Sequence, residues 1–271
     1  MKRKVLSHAA KCLVLVPVHE HIEPGCEDGL RELERRGYTV WRRYGMSDIA
    51  FGRSGLASEG LSSGFEELMW IDSDILFNPD DLEKLRRHKL PIVGGIYAKK
   101  GDRDMACVAH RGCPEIVFGD AGGPIELKYI GAGFLLTRRV VYERIDRDLF
   151  SRDHPKRARG ATRMAPFFFN TIEGRRPGRQ YLSEDYSFCA YARKCGFKIM
   201  ADTTVRLGHI GRYVYSWEEL GGARERRSIV RVRVVPNVGK PVQLVLPPNV
   251  AARAKVLNQR GHHVGGGLLG R

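Results

Sequence analysis

No two cysteines of this chain are spaced Cys-x-x-Cys; Cys12, Cys26, Cys107, Cys113, Cys189 and Cys195 are scattered singly over 271 residues. That spacing supports neither a zinc site nor a disulfide framework and reads as small buried hydrophobes in a reducing compartment. Also missing is an apolar run long enough to cross a bilayer. Cys12 to Val18 follows the basic Met1-Lys2-Arg3-Lys4, but it is too short to span and reads as a first buried strand rather than a signal sequence. Acidic residues are scarce, 31 against 46 Lys and Arg, which leaves a net charge of +15. Such an excess suits phosphorylated ligands, anionic lipid or nucleic acid. There is no helix-turn-helix and no aromatic spacing of the kind that stacks single strands, so a nucleic-acid partner is not expected. With 42% apolar and 28% charged residues, the expectation is a globular cytoplasmic protein, with peripheral membrane contact left open and oligomeric state undetermined.

What is present is an alternation of strand and helix periods. Cys12 to Val18 is followed by a short helical stretch from Asp28 to Gly37, a strand at Tyr38 to Trp41, and small and apolar residues at helical spacing from Ser47 to Ser62. Glu66 to Ile71 is a third strand. Asn78-Pro79-Asp80-Asp81 is a helix-start signal, with proline in the first turn and acids near the amino end, and Pro91 to Tyr97 is the next strand. The pattern predicts an α/β fold with a mixed, mainly parallel sheet flanked by helices. Residues 101–125 read as turn-rich and lead into Lys128 to Thr137, where Gly131 and Gly133 lie beside a strand. Tyr181 to Gly196 reads as a helix with Ser183 as its cap. Beyond Tyr215, Ser228 to Val235 and Val242 to Leu246 suggest a small C-terminal β-hairpin appendage, and the stretch around His262 and His263 a flexible tail. The expected division is residues 10–215 and residues 216–271.

The chemistry concentrates in a few places. Asp72-Ser73-Asp74 closes the buried run Leu68 to Ile71. Carboxylates are costly to bury without a partner, and Mg²⁺ or Mn²⁺ commonly joins one or two of them to substrate phosphates. A plain acidic turn would give the same three letters. Gly131 and Gly133 fit either a close backbone approach to a ligand or a bend. Glu184 and Asp185 open a helix, where acids also serve as partners of the helix dipole. His209, between Gly208 and Gly211, is either a loop residue or a metal ligand. Phe167 to Phe169 are either core or part of a lid and acceptor loop set in the basic stretch from Arg152 to Arg179. A second basic cluster runs from Arg224 to Arg233.

Taken in order, Trp70-Ile71-Asp72-Ser73-Asp74-Ile75, Val93-Gly94-Gly95-Ile96-Tyr97, Gly131-Ala132-Gly133-Phe134, Ser183-Glu184-Asp185 and His209 resemble the metal-dependent glycosyltransferases of GT-A (Rossmann-like) fold, over roughly residues 10 to 215. The resemblance implies an EC 2.4 enzyme that moves a sugar from a nucleotide-sugar donor, UDP- or GDP-linked, to a glycan or other hydroxyl acceptor with inversion. It implies Mn²⁺ or Mg²⁺ as cofactor, with Asp72, Asp74 and His209 toward the metal. Arg53, Asp72, Ser73, Gly131 and Gly133 would lie around the nucleotide, Arg53 being otherwise a solvent-facing helix residue. Asp185 would be the general base and Glu184 would orient the acceptor, two roles that could be exchanged. Competing functions are a nucleotidyltransferase acting on sugar phosphates and a non-catalytic polyanion or nucleic-acid binder.

Overall fold

The computed structural model describes residues 9–101, 104–150, 164–174, 176–218, 229–235 and 243–245. The chain opens with β1 (Cys12–Pro17), α1 (Pro24–Arg35), β2 (Thr39–Arg43), α2 (Ile49–Ser62), β3 (Glu67–Ile71), β4 (Ile75–Leu76), α3 (Pro79–Arg87) and β5 (Ile92–Gly94). There follow β6 (Cys107–Ala109), β7 (Glu115–Gly119), β8 (Pro124–Ile130), β9 (Phe134–Arg138), α4 (Arg139–Ile145), β10 (Thr171–Glu173), β11 (Gln180–Leu182) and α5 (Glu184–Lys194). Last come β12 (Ile199–Asp202), β13 (Gly208–Ile210), β14 (Val214–Tyr215), β15 (Ile229–Val235) and β16 (Gln243–Val245).

Strand β1 is apolar throughout because both of its faces are covered. Alternate side chains point to opposite faces. Leu13 and Leu15 enter one core with Leu68, Trp70 and Leu135, while Val14 and Val16 enter the other with Met69, Ile71 and Leu136. Leu30 and Leu33 of α1 and Leu82 and Leu85 of α3 close the second core, and Leu56 of α2, Tyr142 of α4 and Phe188 of α5 close the first. The main sheet has 8 strands in the order β2-β1-β3-β9-β5-β12-β8-β6. β1 is parallel to β2 and β3, and β5 to β12, whereas β9 and β8 run antiparallel to both of their neighbours. All strands except these two therefore point one way. This is the α/β architecture expected from the sequence, a mainly parallel sheet flanked by helices.

Local chemistry sets the helix starts. Asn78 accepts from Asp80 N at 3.0 Å, Pro79 occupies the first turn, and Lys84, Arg86 and Arg87 sit in the last turn of α3, as the dipole favours. Asp48 caps α2 by accepting from Phe51 N at 3.0 Å. Helix α1 starts earlier than the expected Asp28, with Pro24 in its first turn, and its end is marked by Gly37 at φ +88°.

One expectation is corrected. Residues 101–125 are not simply turns, since β6, β7 and the start of β8 lie there; strands of three to five residues between glycines carry too short a period to read. Over Lys128 to Thr137 the bend, one of the two readings of its glycines, is what forms. The run breaks at Gly131-Ala132-Gly133, and its halves take separate places in the sheet, β8 beside β12 and β6, β9 between β3 and β5. The expected C-terminal hairpin is present, β15 pairing with β16, and β15 also pairs with β7 over Ile229–Val235 against Glu115–Gly119. Trp217, two residues past Tyr215, is buried against Phe118 at 4.9 Å and donates Nε1 to Ile96 O at 3.2 Å. The Arg224 to Arg227 part of the second basic cluster and the tail with His262 and His263 lie outside the described residues, as does most of the basic stretch before Met164. Among the described residues no helix is long and apolar enough to cross a membrane.

Candidate functional site

The carboxyl ends of β3 and β5 and the amino end of α5 meet at one edge of the sheet, the edge where parallel α/β folds leave a crevice. Immediately after β3 the chain turns, with Ile75 N donating to Asp72 O at 3.1 Å. Asp72 and Asp74 are therefore on a bend and take different partners. Strand β13 pairs with β4 in the register His209 to Ile75, and Ile210 N donates to Asp74 O at 2.7 Å. That pairing sets His209 beside Asp74, with Nε2 3.3 Å from Asp74 Oδ2. His209 is thus a strand residue rather than a loop one.

Arg53 is the centre of the cluster. It is not solvent-facing: its side chain is 4% exposed. Nη2 donates to Asp72 Oδ1 at 2.6 Å, and the guanidinium lies 5.5 Å from the centroid of the Trp70 ring. Nε is 3.5 Å from Glu184 Oε1, near enough for Coulombic attraction but too long for a hydrogen bond. Nε and Nη1 are both buried and have no hydrogen-bond partner among the described residues. Unsatisfied buried N–H groups on a charged fork are costly, and a phosphate or carboxylate oxygen is the natural complement.

Behind Arg53 lie the two acids of α5. Ser183 stands at the cap position, but its hydroxyl donates to Asp185 rather than capping the helix, and Tyr186 N donates to the same Asp185 oxygen at 2.7 Å. Burial raises the Asp185 carboxyl above its ordinary range, against the pull of the Ser183 hydroxyl and Arg53. Burial also raises Glu184, and the neighbouring Asp185 charge adds to it while Arg53 opposes. A carboxylate raised in this way is a better proton acceptor near neutrality. Asp74 goes the other way. Burial alone would raise it, but hydrogen bonds from His209 and Lys100 outweigh burial and hold it below the ordinary value.

The glycines have a reason other than a ligand. A Cβ on Gly131 would lie 2.5 Å from the Tyr97 hydroxyl, and one on Gly133 would lie 2.7 Å from both that oxygen and Cζ. Gly133 N donates to the hydroxyl at 3.2 Å, and Gly133 O in turn accepts Asp72 N at 3.0 Å. The Tyr97 ring meets His209 edge to face at 5.3 Å. Burial, then Asp72 and Asp185, raise the Tyr97 phenol, so it remains neutral. Tyr97 thus joins the Asp72 turn to His209, a role that the sequence reading missed; its signal was an aromatic at a strand end facing a Gly-x-Gly bend. Gly133→Ala is expected to cost about 1–3 kcal/mol in urea denaturation. In a Tyr97→Ala background, where the ring is gone, the same change should cost less than half as much.

The other expected residues fall as follows. Ser73 is half-buried and its carbonyl accepts Glu23 N at 2.8 Å, a backbone tie to the loop after β1. Phe167 and Phe168 are core, the latter stacked on Phe188 at 4.7 Å, while Phe169 is exposed. Lys100, also missed, reaches Asp74 Oδ2 at 2.5 Å. A separate groove of about 480 Å³ opens on the outer face of α2 between Tyr44, Met46, Phe51 and Met164. It holds none of the acids just described, so chemistry rather than concavity locates the candidate site.

Among the described residues no three His, Cys, Asp or Glu side chains gather as a metal cage. Asp72, expected as a metal ligand, gives Oδ1 to Arg53. The pair that does fit a cation is Asp74 with His209. His209 Nδ1 is 2.9 Å from Ala98 O, and because a carbonyl can only accept, this nitrogen carries a hydrogen and Nε2 is the atom turned to Asp74, a donor in the imidazolium and an acceptor in the neutral ring. With the ring neutral, Nε2 and Asp74 Oδ2 are two acceptors 3.3 Å apart, which a cation between them would reconcile. One carboxylate and one imidazole suit an ion that completes its shell with phosphate and water.

No protein-family model matches the chain, and no curated protein does. Solved structures that resemble it include the protein A197 from STIV, at 14% identity and TM-score 0.48, covering 84% of this chain and 96% of that one. The inositol-1-phosphate CTP transferase from T. maritima is 12% identical at TM-score 0.33, over 76% of this chain and 91% of that one. A glycosyltransferase involved in the glycosylation of the major capsid of PBCV-1 is 17% identical at TM-score 0.26, over 49% of this chain and 62% of that one.

Proposed function

We propose that the chain is a glycosyltransferase that moves a sugar from a nucleotide-sugar donor to an acceptor hydroxyl with inversion, acting in the cytoplasm. The observation that carries this reading is the buried Arg53, whose guanidinium pairs with Asp72 and faces Glu184 yet keeps two nitrogens, Nε and Nη1, without a hydrogen-bond partner among the described residues. A site built only for stability would satisfy them; one built for a phosphorylated ligand leaves them for it.

In this reading Asp185 takes the proton from the acceptor hydroxyl as the oxygen bonds to the anomeric carbon and the bond to the diphosphate breaks. Glu184, next to it, orients the acceptor. Arg53 holds Asp72 in place and offers its free N–H groups to the donor. Asp74 and His209 would hold Mn²⁺ or Mg²⁺, which supplies positive charge to the departing nucleoside diphosphate.

The test is a thermal-shift series of UDP-, GDP-, CMP- and dTDP-sugars with and without Mn²⁺, since a ligand that binds only the native state raises its stability. One nucleotide class should raise Tm by several degrees with Mn²⁺ and by less without it. NMR of the product should show an inverted anomeric configuration. No shift with any donor would sink the reading, and release of pyrophosphate in place of a nucleoside diphosphate would turn it to nucleotidyl transfer. Acid should suppress turnover. A base that must be ionised works only above its pKa, so kcat/KM is expected to fall as pH drops through a value above the ordinary aspartate range, in line with the raised Asp185 carboxyl.

A further inference from the structure

We propose that Lys100 is the resident counter-cation of Asp74, displaced when a divalent cation arrives and then turned onto the donor's diphosphate. This rests on the reading above that Asp74 and His209 hold the cation. Lys100 Nζ lies 2.5 Å from Asp74 Oδ2, the same oxygen that faces His209 Nε2 at 3.3 Å. An ammonium and a divalent ion repel each other at that oxygen, so an ion bound there competes with the Lys100 pair. The neighbouring lysine is committed elsewhere: Lys99 Nζ binds Asp104 at 2.7 Å and its backbone N donates to Asp104 O at 2.8 Å. Lys100 has instead a path over the His209 strand. A Cβ on Gly211 would lie 3.3 Å from Lys100 Cδ and 3.7 Å from Cε, so the glycine leaves the lane in which the stem rests. The side chain is 38% exposed, so solvent lies on one side of the ammonium. A flexible four-carbon arm ending in a point charge is suited to trade a carboxylate for a phosphate.

The arrangement has two consequences of opposite sign. Without Lys100 the cation meets no competitor and should bind more tightly, whereas the diphosphate loses a positive partner and should bind more weakly. The test uses the full chain and its Lys100→Gln and Lys100→Arg variants. Free Mn²⁺ is followed by electron paramagnetic resonance without donor, and inorganic pyrophosphate binding is followed by calorimetry at saturating Mn²⁺. Lys100→Gln is expected to bind Mn²⁺ roughly tenfold more tightly and pyrophosphate roughly tenfold more weakly, with Lys100→Arg close to the original in both. Unchanged Mn²⁺ affinity in Lys100→Gln overturns the displacement, and unchanged pyrophosphate affinity overturns the transfer to phosphate. Should neither the original chain nor Lys100→Gln bind Mn²⁺ any better than Asp74→Asn, the cation reading itself falls and this inference with it. Binding by Lys100→Gln alone supports it.

Discussion

Asp185→Asn is expected to lower kcat by about 10²- to 10⁴-fold while leaving donor binding within a few-fold of the original, the size of effect that a positioned general base supplies. The amide keeps the shape, and its oxygen can still accept from the Ser183 hydroxyl and Tyr186 N, which hold the carboxylate now. What it loses is the ability to take a proton. Single-turnover kinetics with the donor class found by thermal shift measures the loss, and calorimetry checks donor binding. Glu184→Gln should act differently, raising the acceptor KM more than it lowers kcat. If the two variants exchange these behaviours, Glu184 is the base; if both keep more than a tenth of the original kcat, proton removal is not the work of this helix.

Arg53→Met is expected to destabilise the fold by about 3–5 kcal/mol, the usual cost of removing one partner from a buried ion pair. Methionine fills much of the space beside Trp70, so the loss comes from the charges left behind. Asp72 loses its 2.6 Å hydrogen bond, and Glu184 loses the cation 3.5 Å away. The pH dependence separates this from a packing defect. Glu184 and Asp185 already have raised pKa values, so the folded state binds their protons more strongly than the unfolded chain. Their contribution is therefore best at low pH, and stability is lost as pH rises from the ordinary carboxylate range through the raised values. Because Arg53 lowers both groups, its removal should raise them further, steepen that loss and carry it to higher pH. Urea denaturation from pH 4 to pH 8 reads the difference. A loss that is flat across this range would mean that Arg53 acts by volume alone.

How much of this could be read in advance depended on the range of the interaction. The α3 start was legible because Asn78, Pro79 and the following acids act on backbone groups within a turn. The strand over Cys12 to Pro17 was legible because burial on two faces leaves no polar position. The bend at Gly131 to Gly133 was legible only as one of two readings, since the residue that packs against it, Tyr97, lies more than thirty residues away. Arg53 gave a partial signal. Its helix holds small and apolar residues on every side, so its charges, Arg53 and Glu59, have no polar face to share. Which of them is buried could not be told without Asp72 and Glu184.

The sequence by itself determined the alternation of elements, the two-faced sheet and the types of group at hand: carboxylates after one strand, acids at one helix start, a histidine between glycines. Those follow from period and from capping, which are properties of neighbours. Only the tertiary structure decided the pairings. It gave Asp72 to Arg53 and Asp74 to Lys100 and His209, and it set Tyr97 beneath the glycine bend. The physical reason is that a charge selects its partner by distance in space, and the distances at this sheet edge are fixed by strand order and register, which bring residues 53, 72, 100, 184 and 209 together from separate parts of the chain.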